Sequence, residues 1–319
     1  MKLGLIARMD RSGLGVQTKA LHDMLKPYRT LVVDSTPFNG REQQPEWYPG
    51  AMVSHGMISD ELAREFLTGL DIVITCEVPY NEKLYDIARE LGVKTVLQPN
   101  AELNPHFMQR RLPKPDYLFL PSTWYESDTR RLGIPTFICP PPIMLKPEPI
   151  ITPKEPGKLK VLHVAGRIAA RDRNGTQAVE KLNIPGVEIV IHNQATDEVI
   201  DQSEIYKGGY HVMLMPRRYG GLCLPMIEAL GYGLPVLMPN IPPNNHVLPK
   251  EWLFRVARST RIMLKRRVEV YEPHIADMTN LLIRLRDVES IDHDKARAIY
   301  DQHQVELHKW FEYLEKVVQ

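Results

Sequence analysis

The sequence predicts an α/β fold of two Rossmann-like domains facing each other across a cleft. Three observations carry this expectation. Short apolar runs alternate with amphipathic segments through the first half, a proline-dense stretch then interrupts them, and the alternation restarts beyond it. Strands alternating with helices of about ten residues indicate parallel sheets with helices on both faces.

In the first half, Leu3–Arg8 is a strand, followed by the loop Ser12-Gly-Leu-Gly15 and a helix from Val16 to Leu25. Thr30–Asp34 and Met52–Ser54 are the next strands. Asp60–Leu70 has helical apolar spacing, with Ser59 as its N-cap. Asp71–Cys76, Lys94–Leu97 and Tyr117–Leu120 are further strands, separated by helices at Asn81–Leu91 and Ser122–Leu132. Seven prolines then fall between Cys139 and Gly157. Proline at that density makes a semi-rigid, extended connector, so residues 1–140 are expected as one domain and 141–158 as a linker.

Beyond the linker, Lys160–Ala165 is a strand, Gly175–Leu182 a helix, and Val187–His192 and Tyr210–Met215 are strands. A helix starts at Pro225, where a missing N–H costs nothing, and Pro235–Met238 is a strand. Residues 270–286 and 292–319 read as long helices, the last with Ile299, Val305, Leu307, Trp310, Phe311, Leu314 and Val317 close to one face. Residues 159–290 form the second domain, and the helix over 291–319 is expected to pack back on the first.

Hydrophobic content of 43%, charged content of 25% and a net charge of +1 are ordinary for a globular chain and give no global pull toward nucleic acid or membrane. Three cysteines without metal-ligand spacing suggest reduced thiols in a cytoplasmic protein. No apolar run approaches the ~20 residues needed to cross a bilayer.

Three loops carry the chemistry. Gly13 and Gly15 follow the first strand and leave room for a phosphate or sugar, although glycine there is also plain turn chemistry. Arg167, Arg171 and Arg173 follow the first strand of the second half, where guanidinium forks suit phosphate oxygens. Solvated ion pairs are the ordinary alternative, usually worth under ~1 kcal/mol, and the strand-end position argues against it. The stretch from Met215 to Pro239 is a strand end, a loop with Arg217, Arg218, Gly220 and Gly221, a helix carrying Glu228, and another strand. Free loop N–H groups and the helix dipole make an anion socket there, with Glu228 placed to grip hydroxyls.

The run Gly220-Gly-Leu-Cys-Leu-Pro-Met-Ile-Glu-Ala-Leu-Gly-Tyr-Gly-Leu-Pro-Val236 resembles the donor-site signature of retaining GT-B glycosyltransferases. His163-Val-Ala-Gly-Arg167 with Asn174-Gly175 is similar to a second element of that family, and the Ser12–Gly15 loop to its first glycine loop. Small members carried by phages and actinobacteria show similar phrases, such as Leu97-Gln-Pro-Asn-Ala-Glu102 and Pro121-Ser-Thr-Trp124. The resemblance covers residues 160–250 closely and 1–135 loosely. It implies a transferase moving a sugar from a UDP- or GDP-sugar donor to a hydroxyl acceptor. It implies catalytic roles for Arg167, Arg173 and Glu228, with Glu228 on the ribose hydroxyls. Donor contacts are implied for Gly13, Gly15, Arg171, Asn174, Arg217, Gly220, Gly221, Leu222, Cys223 and Leu224. Asn174 stands where relatives carry lysine, and Gly220 where they carry a glutamate that contacts the donor sugar.

No protein nucleophile is implied and no metal or other cofactor is expected. Asp292-His-Asp294 reads better as a helix cap than as a metal site. Glu77, Glu102 and His106 are strand-end candidates for the acceptor side. The acceptor is a hydroxyl on a protein or on a hydroxymethylated base in phage DNA. The basic run Arg255, Arg258, Arg261, Lys265, Arg266 and Arg267 reads as a solvated face, or as a track for a nucleic-acid backbone if it clusters. Two rivals remain: a sugar-nucleotide-binding protein of weak catalysis, motivated by Gly220, and a GT-B-like epimerase.

Overall fold

A computed structural model describes residues 1–40, 42–100, 112–165, 172–193, 201–221, 223–263 and 267–319. The chain divides into two compact units, one of Met1–Met144 with Gln304–Gln319 and one of Leu145–His303.

The first unit begins with β1 (Leu3–Arg8), α1 (Gly13–Leu25), β2 (Arg29–Asp34), α2 (Thr36–Asn39), β3 (Met52–His55) and α3 (Asp60–Leu67). It continues through β4 (Ile72–Cys76), α4 (Leu84–Glu90), β5 (Lys94–Gln98), β6 (Tyr117–Leu120), α5 (Glu126–Arg130) and β7 (Thr136–Ile138). The seven strands form one sheet in the order β3-β2-β1-β4-β5-β6-β7, with every pair parallel. Central strands of such a sheet are buried on both faces and read as unbroken apolar runs. β1 (LGLIAR) and β4 (IVITC) are of this kind.

Alternate side chains of each strand serve two separate cores. Ile6, Leu31, Val73 and Leu97 pack with Phe66 and Leu67 of α3 and with Leu84 and Ile87 of α4. Leu5, Val32, Ile74 and Phe119 pack with Leu14 and Leu21 of α1 and with Trp310, Leu314 and Val317 from the C-terminal segment. Helix starts follow local capping chemistry. Ser12 accepts from the Gly15 N–H (3.1 Å) and Ser59 from the Leu62 N–H (3.1 Å), with Asp60 and Glu61 favoured by the dipole of α3.

The second unit holds β8 (Leu159–Ala165), α6 (Thr176–Val179), β9 (Val187–Asn193), β10 (Val212–Leu214), α7 (Leu224–Gly231), β11 (Val236–Pro239), α8 (Asn244–Val247) and β12 (Leu253–Phe254). These strands form a parallel sheet in the order β12-β11-β10-β8-β9. The chain runs from β8 to β9 on one side and to β10 on the other, so the order reverses between β8 and β10. Ligands of such sheets bind beyond the carboxyl ends of the strands at that point.

The segment after β12 departs from the sequence expectation. β13 (Val256–Met263) and β14 (Arg267–Pro273) form a separate antiparallel ribbon, and only then does α9 (Ile275–Asp287) begin. Residues 270–273 are therefore strand rather than helix. Val268 and Val270 are buried while Glu269 between them is not, the period of two that a strand requires, and Pro273 ends it. His274 caps α9 by accepting from the Asp277 N–H (3.1 Å).

The helix expected over 292–319 is two, α10 (His293–Leu307) and α11 (Lys309–Val318), with His308 between them. The break shifts the helical phase, so Trp310, Leu314 and Val317 are buried while Val305 and Phe311 are exposed. Asp292 does cap α10, accepting from the Lys295 N–H (2.9 Å). Among the described residues no helix is long and apolar enough to cross a membrane.

Candidate functional site

In the second unit, the loops after β8 and β10 meet where the strand order reverses. Asp172 closes the first loop by accepting from the N–H groups of Thr176 (2.8 Å) and Gln177 (2.9 Å). The Asn174 amide donates to the Val164 carbonyl at the end of β8 (3.1 Å). Buried His163 bridges the two loops' supports, with Nδ1 at 2.8 Å from the Leu214 carbonyl and Nε2 at 2.9 Å from the Thr176 hydroxyl. Burial lowers its pKa, so the ring is neutral and structural.

Above this base two guanidiniums converge. Arg173 Nε and Arg217 Nε both donate to the Tyr219 carbonyl, at 3.3 and 3.1 Å. Arg173 also lies over the Tyr219 ring, 5.3 Å from its centroid. Gly220 has φ +125, and a Cβ there would fall 2.2 Å from an Arg173 terminal nitrogen and 2.4 Å from one of Arg217. The bare backbone thus lets two cations reach one point. Arg217 is only 9% exposed. Cys223, the N-cap residue of α7, and Leu224 follow, so the N-terminus of that helix lies next along the chain.

Glu228 sits one turn into α7 and is fully buried. Its Oε1 accepts from the Gln202 amide (2.9 Å) and its Oε2 from the Tyr206 hydroxyl. Burial raises its pKa, and the two hydrogen bonds offset this only in part. The Tyr206 ring stacks on Tyr232, with centroids 5.2 Å apart and planes at 15°.

In the first unit, the sheet order reverses between β1 and β4, and polar side chains gather at their carboxyl ends. Asp10 is fully buried and accepts from the Ser12 N–H (2.7 Å), the Ser35 hydroxyl (2.6 Å) and the Arg8 guanidinium. Arg8 also faces Tyr80, which is 6% exposed. Glu77 and Tyr80 both hold left-handed backbone, φ 66 and φ 58. Such strain clusters at ligand sites. Gly15 has a structural reason for lacking a side chain, since a Cβ there would lie 1.7 Å from the Asp10 carbonyl oxygen. Among the described residues, nothing lies within 4 Å of a Cβ built on Gly13.

Of the residues singled out from sequence, Arg173, Asn174, Arg217, Gly220, Gly221, Cys223, Leu224 and Glu228 belong to the second unit, and Gly13, Gly15 and Glu77 to the first. Arg167, Arg171, Leu222, Glu102 and His106 lie outside the described residues. The basic run divides: Arg255 pairs with Asp277, Arg258 and Arg261 are exposed on β13, and Arg267 opens β14. Lys265 and Arg266 lie outside the described residues. Sequence reasoning missed Gln202 and Tyr206, which carry no motif. It also missed Arg8 and Asp10, which the position after the first strand could have flagged.

No protein-family model and no curated protein matches the chain. Solved structures do. Anabaena HepE in complex with UDP is 11% identical with a TM-score of 0.63, over 99% of this chain and 100% of that one. Sucrose-phosphate synthase from Thermosynechococcus elongatus is 12% identical with a TM-score of 0.56, over 98% and 99%. A chain of the GtfA/B complex is 17% identical with a TM-score of 0.52, over 81% of this chain, and this chain spans 60% of its length. The fold is GT-B, built from two Rossmann-like units.

Proposed function

We propose that the chain is a glycosyltransferase that moves a sugar from a nucleotide-sugar donor to a hydroxyl acceptor. The observation that carries this reading is the meeting of Arg173 and Arg217 over Gly220, beside the start of α7. Two guanidiniums and a helix N-terminus at the switch point of a parallel sheet form a site for a diphosphate. Glu228, in the same helix, takes the ribose hydroxyls. HepE, similar in fold, has been crystallised with UDP and with UDP-glucose, which supports a uridine donor among the two nucleotides considered.

In this reading the donor binds the second unit and the acceptor the first, near Glu77 and the Arg8–Asp10 pair. The reaction retains anomeric configuration and needs no metal. Arg173 and Arg217, with the amide dipoles of the loop, stabilise the charge that builds on the leaving diphosphate. The acceptor hydroxyl attacks from the face the diphosphate leaves.

Titration with UDP- and GDP-sugars, while release of free nucleotide is followed, tests the proposal. Binding with acceptor-dependent release is expected. Binding with no release on any acceptor would leave a sugar-nucleotide-binding protein instead. Conversion of the donor to a new sugar nucleotide without acceptor would make it an epimerase.

A further inference from the structure

The two donors on Glu228 are not equivalent. Tyr206 is 2% exposed and its ring is stacked on Tyr232, so its hydroxyl has no alternative place. Gln202 is half-buried and its amide reaches Oε1 through a partly buried bond of 2.9 Å. The carboxylate is fully buried in this state, although a carboxylate that grips a ribose has to be reached by it. A flexible, half-exposed amide costs less to displace than a stacked phenol.

We propose that Gln202 is a placeholder on Glu228 that the ribose hydroxyls displace, while Tyr206 is the positioning residue that holds the carboxylate in place throughout. The inference rests on the reading of Glu228 as the ribose grip. In the free protein the Gln202 amide supplies the hydrogen bond that a ribose hydroxyl supplies in the complex. A buried carboxylate is then never left without donors, a state that is costly in a low-dielectric interior. On binding, Gln202 swings out and one donor replaces another at Oε1. Oε2 stays bonded to Tyr206, so the carboxylate keeps its direction.

The two residues therefore predict opposite signs. The wild type, Gln202→Ala and Tyr206→Phe are titrated calorimetrically with UDP and GDP and with their 2′-deoxy counterparts. The wild type is expected to prefer the ribonucleotide. Gln202→Ala is expected to bind it about fivefold more tightly, because a competing hydrogen bond to a charged group is gone. Tyr206→Phe is expected to bind it about tenfold more weakly and to lose much of the preference over the deoxynucleotide. General damage to the fold would weaken both nucleotides in the same proportion, so the ratio separates the two cases.

If Gln202→Ala binds the ribonucleotide no better than the wild type while the preference for ribose persists, the exchange is wrong and the ribose grip stands. If the wild type binds both nucleotides equally, the grip itself is wrong and the exchange falls with it.

Discussion

Arg173 and Arg217 share one acceptor, the carbonyl of Tyr219, and bring their terminal nitrogens to within 2.2 and 2.4 Å of the point where a side chain at Gly220 would begin. Two residues 44 positions apart in the chain are thus aimed at a single spot by one peptide group.

Arg217→Ala is expected to weaken UDP binding by about 10- to 100-fold, the range for losing a charge-assisted hydrogen bond to phosphate. Arg173→Ala is expected to fall in the same range. Because both cations act on one anion, the double variant should lose less than the product of the two. Calorimetric titration measures all three, and unchanged affinity in both single variants would refute the diphosphate site.

Gly220→Ala is expected to destabilise the protein by about 1–3 kcal/mol, since φ +125 suits only glycine. The methyl group would also push both guanidiniums aside, so nucleotide affinity should fall with it. Urea denaturation and titration on the same sample read the two effects. Wild-type values in both would show that the loop relaxes freely.

Glu228→Gln is expected to change how stability depends on pH. Burial raises the folded pKa of Glu228 above its unfolded value. Its contribution is therefore fully present below about pH 4.3, the unfolded value, and lost as pH rises through the folded one. The stability of the wild type relative to Glu228→Gln should decline from acid toward neutral pH, as denaturation midpoints at several pH values would show. A constant difference would contradict the raised pKa.

Asp10→Asn should behave in the opposite sense. Burial pushes the Asp10 carboxyl up, but the Ser12 and Ser35 hydrogen bonds and the Arg8 charge outweigh it and hold the pKa below the usual carboxylate range. Its contribution is present above about pH 3.9, the unfolded value, and is lost as pH falls through the folded one. At neutral pH the substitution is expected to cost about 3–5 kcal/mol, because Arg8 loses its buried partner. The deficit should shrink in acid, which acid-denaturation curves of the two proteins would reveal.

Trp310→Ala is expected to cost about 3–5 kcal/mol. The side chain is fully buried, packs edge-on against Phe119 at 5.2 Å and donates Nε1–H to the Pro140 carbonyl (2.8 Å). Chemical denaturation monitored by tyrosine and tryptophan emission tests this. A loss under about 1 kcal/mol would mean that the C-terminal helix contributes little to the first unit.

Most strands of both sheets were legible because each is a short apolar run bounded by turn residues, as in LGLIAR at Leu3–Arg8 and IVITC at Ile72–Cys76, whereas the edge strands β7 and β12, only three and two residues long, were not. The ribbon was not. Its first strand, VARSTRIM, is almost wholly exposed and carries no inward-facing stripe, and its partner runs directly toward a helix. At the candidate site, Arg173, Gly220 and Glu228 stood in recognisable phrases of sequence. Gln202 and Tyr206 did not, because their tie to Glu228 spans more than 20 positions and depends on tertiary packing alone. Gly15 was legible as a place of close approach, yet it lies in the first turn of α1 and what approaches it is the Asp10 carbonyl just before that helix.

The chain's first compact unit takes its last pieces from Gln304–Gln319, and Trp310, Leu314 and Val317 fill one of its two cores. During synthesis these side chains emerge only after Leu145–His303 has been made. Domains usually fold in the order in which they leave the ribosome. Here the second unit has all its residues in hand first, and the unit that starts the chain is the one that finishes last. Until then one apolar face of its seven-stranded sheet lacks its tryptophan cover. Nascent chains stalled before residue 304 should therefore be the form that most needs a chaperone.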